Sequence, residues 1–238
     1  DFTFHGLVSA REALIRSLNV TAVRVLHAYG LERFYRYLHS AGLEHLFRSP
    51  RDYGLPLVLG GAEATLYEMA ALYRSLGREG RASPLTIFES GDAPVSGNTP
   101  SLISPGACYL TLDMLRGLRR PGAEYYWEIY QDSYPFAWKT GTSFGQKDGW
   151  AVGVSPEWTI AVWVGNFTGE GNSNLKSSRC AAPLLFDILN VLPRTGDDLW
   201  FTVPRQGLAP VRLCAKTGYR AGRDCPDIVY EMAPSSVR

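Results

Sequence analysis

The sequence predicts an α+β fold in which an antiparallel sheet is covered by helices. Two observations carry this. Helix start and stop signals punctuate the first third of the chain, whereas residues 136–167 alternate apolar and small residues with a period of two. The helices come first, and the strands follow as a meander closed by one more helix, an order that lays helices on the faces of one sheet. The 238 residues suffice to bury a substantial core without disulfides.

Taken in order, Ser9 and Glu12 form a capping-box pattern before Ala13-Leu14-Ile15 and predict a first helix. A second pattern, Ala22 to Tyr29, stops at Gly30, and a third, Glu32 to Ser40, stops at Gly42. After Leu57-Val58-Leu59-Gly60-Gly61, Thr65 and Glu68 form another capping box. The helix it opens has apolar residues at Leu66, Met69, Ala70, Leu72, Tyr73 and Leu76, a spacing of about 3.6 residues. Residues 77–105 are richer in Gly, Pro and Ser, with one short strand expected at Leu85–Glu89. Ser104-Pro105 reads as an N-cap with Pro at the first helical position, and that helix is expected to run to about Leu118.

Phe136 to Ser143 is expected to be a strand. Trp150, Val152 and Val154, then Ile160, Val162 and Val164 beyond Ser155-Pro156-Glu157-Trp158, predict an antiparallel hairpin beside it. A helix over about Ala182–Val191 closes the domain. The boundaries expected are 1–193 for this domain and 194–238 for a linker and the start of a small C-terminal domain.

Composition excludes several classes. With 45% hydrophobic and 20% charged residues the chain is neither disordered nor fibrous. Lys plus Arg number 24 against 23 Asp plus Glu, and no basic run occurs, so nucleic acid is not an expected partner. No apolar run approaches the ~18 residues that span a bilayer. Thr159–Val164 and Pro183–Leu192 are short, the second interrupted by Asp187 and Asn190. The start at Asp1, without an initiator Met, reads as a piece of a longer protein, with any anchor or export signal upstream.

Four cysteines are too few for a disulfide scaffold. Cys214 and Cys225, close together in a Gly- and Pro-containing stretch, are read first as a disulfide closing a small loop, with free thiols the alternative; a bridge would point to an oxidising compartment. None of the four His is near them, so no metal site is expected. Cys108 and Cys180 read as small buried apolar groups at helix starts.

The chemistry concentrates in Lys139-Thr140-Gly141-Thr142-Ser143, on an expected strand. A second Lys-Thr-Gly at Lys216-Thr217-Gly218 lies between two cysteines with no strand pattern around it and is read as chance. Ser17-Leu18-Asn19 sits at the junction of the first two helices, where its polar groups serve equally as local caps or as site residues. A Ser hydroxyl beside a Lys ammonium can pass a proton, and an Asn carboxamide can both donate to and accept from a peptide bond. A strand carrying Lys139 to Thr142 can take an extended peptide along its edge, with Gly141 permitting close approach. The hydroxyls of Thr140 and Thr142, with the lysine charge, make a carboxylate site.

On these residues the chain resembles the transpeptidase domain of class A penicillin-binding proteins, most closely their 1C type, whose fold is that of the serine β-lactamases. The family's signature is S-x-x-K, then S-x-N, then K-T-G. The likeness is carried by Phe4-His5-Gly6 through Asn19, by Leu57 to Gly61 with the following helix, and by Trp138 to Ser143 through Asp148–Gly153 and Ala161–Gly165. The stretch Cys214–Pro226 is similar to the opening of the small C-terminal domain of the 1C type.

The resemblance implies a serine D,D-transpeptidase that acts on peptidoglycan stem peptides ending in D-Ala-D-Ala, is acylated by β-lactams and needs no cofactor. It implies a longer, bifunctional glycosyltransferase and transpeptidase on the periplasmic side of the bacterial inner membrane, touching the membrane only through its upstream parts. Ser17 then relays the proton to the leaving amine, and Asn19 holds the substrate amide. Lys139 sustains the hydrogen-bond network, Thr140 and Thr142 bind the carboxylate, and the Thr142 N–H forms half of the oxyanion hole.

The chain departs from the family at the nucleophile. None of the 16 residues before Ser17 forms S-x-x-K, and Ser173-Asn174-Leu175-Lys176 follows the Lys-Thr-Gly strand, in the wrong order. The piece alone is therefore expected not to acylate. Other readings are a cell-wall-peptide or partner-binding module of the same fold, a D,D-carboxypeptidase or β-lactamase relative, and a helix-covered sheet with accidental motifs.

Overall fold

The computed structural model of the protein describes residues 6–86, 101–122, 134–194, 196 and 200–235. The helical first third holds α1 (Ala10–Ile15), α2 (Asn19–Tyr29), α3 (Leu31–Ser40), α4 (Pro50–Tyr53), a 3₁₀ turn at Leu55–Leu59 and α5 (Leu66–Gly77). Then come α6 (Pro105–Arg116), strands β1 (Ala137–Thr142), β2 (Asp148–Val154) and β3 (Thr159–Gly165), and α7 (Ala181–Val191). A hairpin of β4 (Leu208–Cys214) and β5 (Ile228–Pro234) ends the described chain. Residues 87–89 of the strand expected at Leu85–Glu89 lie outside the described residues, and Leu85 and Thr86 are not in a strand.

The caps act much as the sequence predicts. The Thr65 hydroxyl accepts from the Glu68 N–H while the Glu68 carboxylate accepts from the Thr65 N–H, a full capping box. At α1 only half of it forms: Ser9 Oγ accepts from the Glu12 N–H, but the Glu12 carboxylate turns to Arg16, at 2.7 Å. Ser104 caps α6 with Pro105 in its first turn.

The three-stranded sheet runs in the order β1-β2-β3, antiparallel throughout, with Lys139 opposite Val152 and Val152 opposite Ala161. α7 covers one face and α5 and α6 cover the other, so the sheet is the middle layer of three. The core joins Leu112 and Leu115 of α6, Phe136, Trp138 and Val154 of the sheet region, and Leu185, Phe186 and Leu189 of α7. Close approach is permitted by Gly153: a Cβ there would lie 2.1 Å from the Phe136 ring, so the bare backbone seats that fully buried side chain.

β1 pairs only with β2, and among the described residues its other edge carries no strand. A smaller cluster of Leu38, Leu43, Leu46, Tyr53 and Leu57 packs α3, α4 and the 3₁₀ turn together.

Glu68 is a buried polar hub. Besides the Thr65 bonds, its carboxylate accepts from the Glu44 N–H at 2.7 Å, the His45 N–H at 3.3 Å and His45 Nδ1 at 2.8 Å. Against the desolvation that opposes ionisation, these bonds hold its pKa down to about 2, from an ordinary 4.5. The same hydrogen bond raises the pKa of exposed His45.

Cys108 is buried as expected, and burial pushes its thiol up to about 11. Cys180 is only half-buried, at the cap of α7. Cys214 and Cys225 are free thiols rather than a bridge, hydrogen-bonded to each other, and bonds from Thr217 and Cys225 lower Cys214 to about 7. The β4–β5 hairpin packs against α6, where Gly106 leaves room for Gly207 and Leu208.

Because the folded pKa of Glu68 is depressed, its stabilising contribution is complete above pH 4.5 and disappears as the pH falls through about 2. Glu68→Ala is expected to cost about 2 kcal/mol at neutral pH. Urea unfolding at pH 7 and at pH 2.5 should show the variant's deficit shrinking in acid.

Candidate active site

The site begins where α1 ends. The Leu18 N–H bonds to the Ala13 carbonyl at 2.9 Å and the Ser17 N–H to the Leu14 carbonyl at 3.2 Å, the paired bonds of a Schellman turn. Ser17 occupies the left-handed position of that turn, with φ +53°, where glycine is usual. A serine there trades backbone comfort for a hydroxyl at the corner between α1 and α2. The corner is anchored on α6 by Arg11, whose guanidinium donates to the Asp113 carboxylate at 2.5 Å and to the Asp113 carbonyl at 3.1 Å.

β1 supplies the other half. Strand alternation puts Lys139 on the face of α5 and α6, and Thr140 and Thr142 on the face of α7. Lys139 Nζ donates to Ser17 Oγ and, at 2.8 Å, to the Thr140 carbonyl. Desolvation lowers the pKa of this lysine from its ordinary 10.5. The S-x-N and K-T-G motifs, with Ser17 and Lys139 122 residues apart, therefore meet through one hydrogen bond.

Two further features hold the end of β1. Gly60 lies against it: at φ +93° a Cβ would sit 3.3 Å from the Thr142 carbonyl oxygen, so the Leu57–Gly61 stretch abuts the strand. Asp148 locks the β1–β2 turn, its carboxylate accepting from Ser143 Oγ at 2.6 Å and from Trp163 Nε1 at 2.9 Å.

The predicted residues divide plainly. Ser17 and Lys139 are brought together. Thr140 and Gly141 follow on the same strand, and the Thr140 hydroxyl carries no hydrogen bond among the described residues. Gly141 keeps the strand surface low, the nearest atom to a Cβ there being 3.9 Å away. The Thr142 hydroxyl is bonded to Ser177 Oγ at 2.7 Å. Asn19 opens α2 at the same corner, exposed, with no side-chain hydrogen bond among the described residues.

Ser173-x-x-Lys176 lies in the turns between β3 and α7. Lys216 of the second Lys-Thr-Gly is in the β4–β5 connection, paired with Asp227 at 3.6 Å. Sequence reasoning assigned nothing to Ser177 or Asp148. Asp148 stands five residues past Ser143 in a turn with Gly145, which is a readable signal; Ser177 is 35 residues beyond Thr142 and has none.

The family model "Penicillin binding protein transpeptidase domain" matches residues 2–190. Penicillin-binding protein 1C of Escherichia coli (strain K12) is 37% identical over 192 residues, covering 81% of this chain and 24% of that protein. Penicillin-binding protein 1A of Clostridium tetani is 28% identical over 245 residues, 94% of this chain and 30% of that protein. The chain thus spans 24% and 30% of the length of these relatives. The fold is similar to the crystal structure of Penicillin-Binding Protein 1A from Haemophilus influenzae, with a TM-score of 0.69 at 18% identity, over 98% of this chain and 41% of that one.

The left-handed Ser17 predicts that Ser17→Gly is more stable than Ser17→Ala by about 1 kcal/mol. Thermal unfolding of the two variants checks this; equal stability would place Ser17 outside the left-handed region.

Proposed function

Since the chain belongs to the penicillin-binding protein transpeptidase family, we propose that it forms the substrate-binding and proton-relay part of a serine D,D-transpeptidase that cross-links peptidoglycan stem peptides. The observation that carries this is the Lys139–Ser17 hydrogen bond. A serine hydroxyl held by a lysine ammonium can hand its proton to a leaving amine and recover one from the attacking group, while the ammonium stabilises the charge that develops. The nucleophilic serine belongs to an S-x-x-K segment upstream of this chain in the whole protein.

In this reading the extended substrate lies along the open edge of β1. Asn19 holds its amide from the α1–α2 corner, and Lys139 and the β1 threonines face its terminal carboxylate. The backbone N–H of Thr142 supplies one oxyanion donor, and Gly141 keeps the approach clear. β-Lactams enter as mimics of the same peptide. Residues 1–193 form the transpeptidase part and 194–238 a linker and the start of a small C-terminal domain; the end of the family match at 190 and the separate β4–β5 pairing support that division. The whole protein is bifunctional, anchored upstream, and works on the periplasmic side of the inner membrane.

Fluorescent penicillin followed by a denaturing gel tests this on the chain as given and on the protein with its upstream sequence. Labelling of the longer protein alone is the expected result. If neither labels, the binding-module reading replaces this one; if the chain labels by itself, the nucleophile lies within it and Ser173 becomes the residue to substitute. In the longer protein Lys139→Ala should slow acylation by about 10²- to 10³-fold, and a near-normal rate would remove Lys139 from the mechanism. Because burial lowers the lysine's pKa, the rate should fall on the alkaline side before pH 10.5, and Lys139→Arg should lack that limb.

A further inference from the structure

The connection between β4 and β5 folds back on its own stem. The Ala215 N–H donates to the Asp227 carbonyl at 2.9 Å, next to the last pair of the ladder, Cys214 opposite Ile228. The Gly218 N–H donates to the Cys214 carbonyl at 2.8 Å and the Cys214 N–H to the Tyr219 carbonyl at 2.8 Å. Residues 214–219 thus close a tight turn, with Gly218 at φ +72°. Cys225 returns to this turn from the other side, its Sγ donating to the same Asp227 carbonyl at 3.4 Å. One carbonyl therefore gathers the residue after Cys214 and the thiol of Cys225, and the two thiols are hydrogen-bonded to each other.

The two sulfurs are not equivalent. Cys214 Sγ accepts from the Thr217 hydroxyl, from Cys225 and from the backbone N–H groups of Thr217 and Lys216, a donor set that stabilises a thiolate and lowers its pKa to about 7. The Cys225 pKa is raised, first because its proton is shared with Cys214. Both residues are half-buried among exposed neighbours, Lys216 and Asp227 included, so a reagent in solution can reach them. The other two cysteines are placed differently. Cys108 is buried with its thiol held protonated, and Cys180 donates to the Lys176 carbonyl at 3.2 Å.

We propose that Cys214 and Cys225 form a thiol–disulfide exchange site, oxidised by an external disulfide, in which Cys214 attacks and Cys225 resolves. The proposal is independent of the transpeptidase reading. In the first step the Cys214 thiolate, its proton given to solvent, attacks one sulfur of the disulfide. A mixed disulfide forms on Cys214, and the other half of the reagent leaves as a thiolate that takes up a proton. In the second step Cys225 loses its proton to solvent and attacks Cys214 Sγ. The Cys214–Cys225 bond forms and the second half of the reagent leaves as a thiol. The protein gives up two electrons and two protons, and one external disulfide becomes two thiols. The bridge ties the end of β4 to the segment that enters β5.

The test uses the complete protein, reduced, freed of reductant and mixed at pH 7 with glutathione buffers of graded ratio. Acid quenching, alkylation and peptide mass mapping then count each thiol. The bridge between Cys214 and Cys225 is expected, with Cys108 and Cys180 recovered as alkylated thiols. Because the fold holds the two sulfurs together, half-oxidation should need a buffer about tenfold more reducing, as [GSH]²/[GSSG], in native than in urea-unfolded protein. With oxidised glutathione alone, Cys225→Ser should accumulate the mixed disulfide on Cys214 about threefold faster than Cys214→Ser accumulates it on Cys225, the gain in thiolate being partly offset by its lower nucleophilicity.

A half-oxidation point that is the same in native and unfolded protein overturns the site, as does a mixed disulfide that persists in the unsubstituted protein without closing. Equal adduct rates in the two variants, or a faster rate on Cys225, overturn the assignment of attacking and resolving residues. The comparison on the unsubstituted protein stands even where a variant folds poorly.

Discussion

The Lys139 ammonium on the Ser17 hydroxyl is the contact around which the rest of the molecule is arranged. Each partner is held against its own preference. Lys139 is partly desolvated, which disfavours its charge. Ser17 sits in a left-handed turn that favours glycine. Neither condition stabilises the fold, so both must be imposed by surroundings that are stable without them. On one side that support is α1, tied through Arg11 to α6. On the other it is the buried run Phe136-Ala137-Trp138, which leads into Lys139 and is locked into the sheet.

The three-layer packing explains how so small a sheet can be this rigid. Phe136 is fully buried because β2 offers Gly153 beneath it, and Trp138 meets the Phe186 ring edge-on at 5.0 Å. The same device recurs near the site, where Gly149 admits Ser177 and Cys180. Glycines in β2 therefore set the spacing between the sheet and α7, and through Ser177 that spacing reaches the hydrogen-bonding groups of Gly141 and Thr142. The opposite face serves a different end, bringing α5, α6 and the α1–α2 corner to the side on which Lys139 emerges.

Much of this was legible beforehand because it rests on local physics. Caps at Thr65 and Ser104, stops at Gly30 and the alternation through Trp150–Val154 and Ile160–Val164 act over a few residues, and the structure places elements there. The half-formed box at Ser9 shows the limit. Glu12 had two partners within reach, Ser9 N–H and Arg16, and the pattern of residue types does not rank them. Cys214 and Cys225 were likewise readable as neighbours, and they are neighbours, as two thiols.

By itself the sequence determined the class of fold, the order of its elements, and the residue types of Ser-x-Asn and Lys-Thr-Gly-Thr that tie the chain to its family, because periodicity, capping and motif are written in adjacent positions. Only the tertiary structure decided that Ser17 occupies the glycine position of a Schellman turn, that Lys139 rather than Lys216 reaches it, and that Ser177 hydrogen-bonds to the Thr142 hydroxyl. Those facts depend on separations of 122 and 35 residues along the chain, closed by layers packing in three dimensions. A hydroxyl's single proton goes to whichever acceptor the fold brings within about 3 Å, and no local pattern encodes that choice.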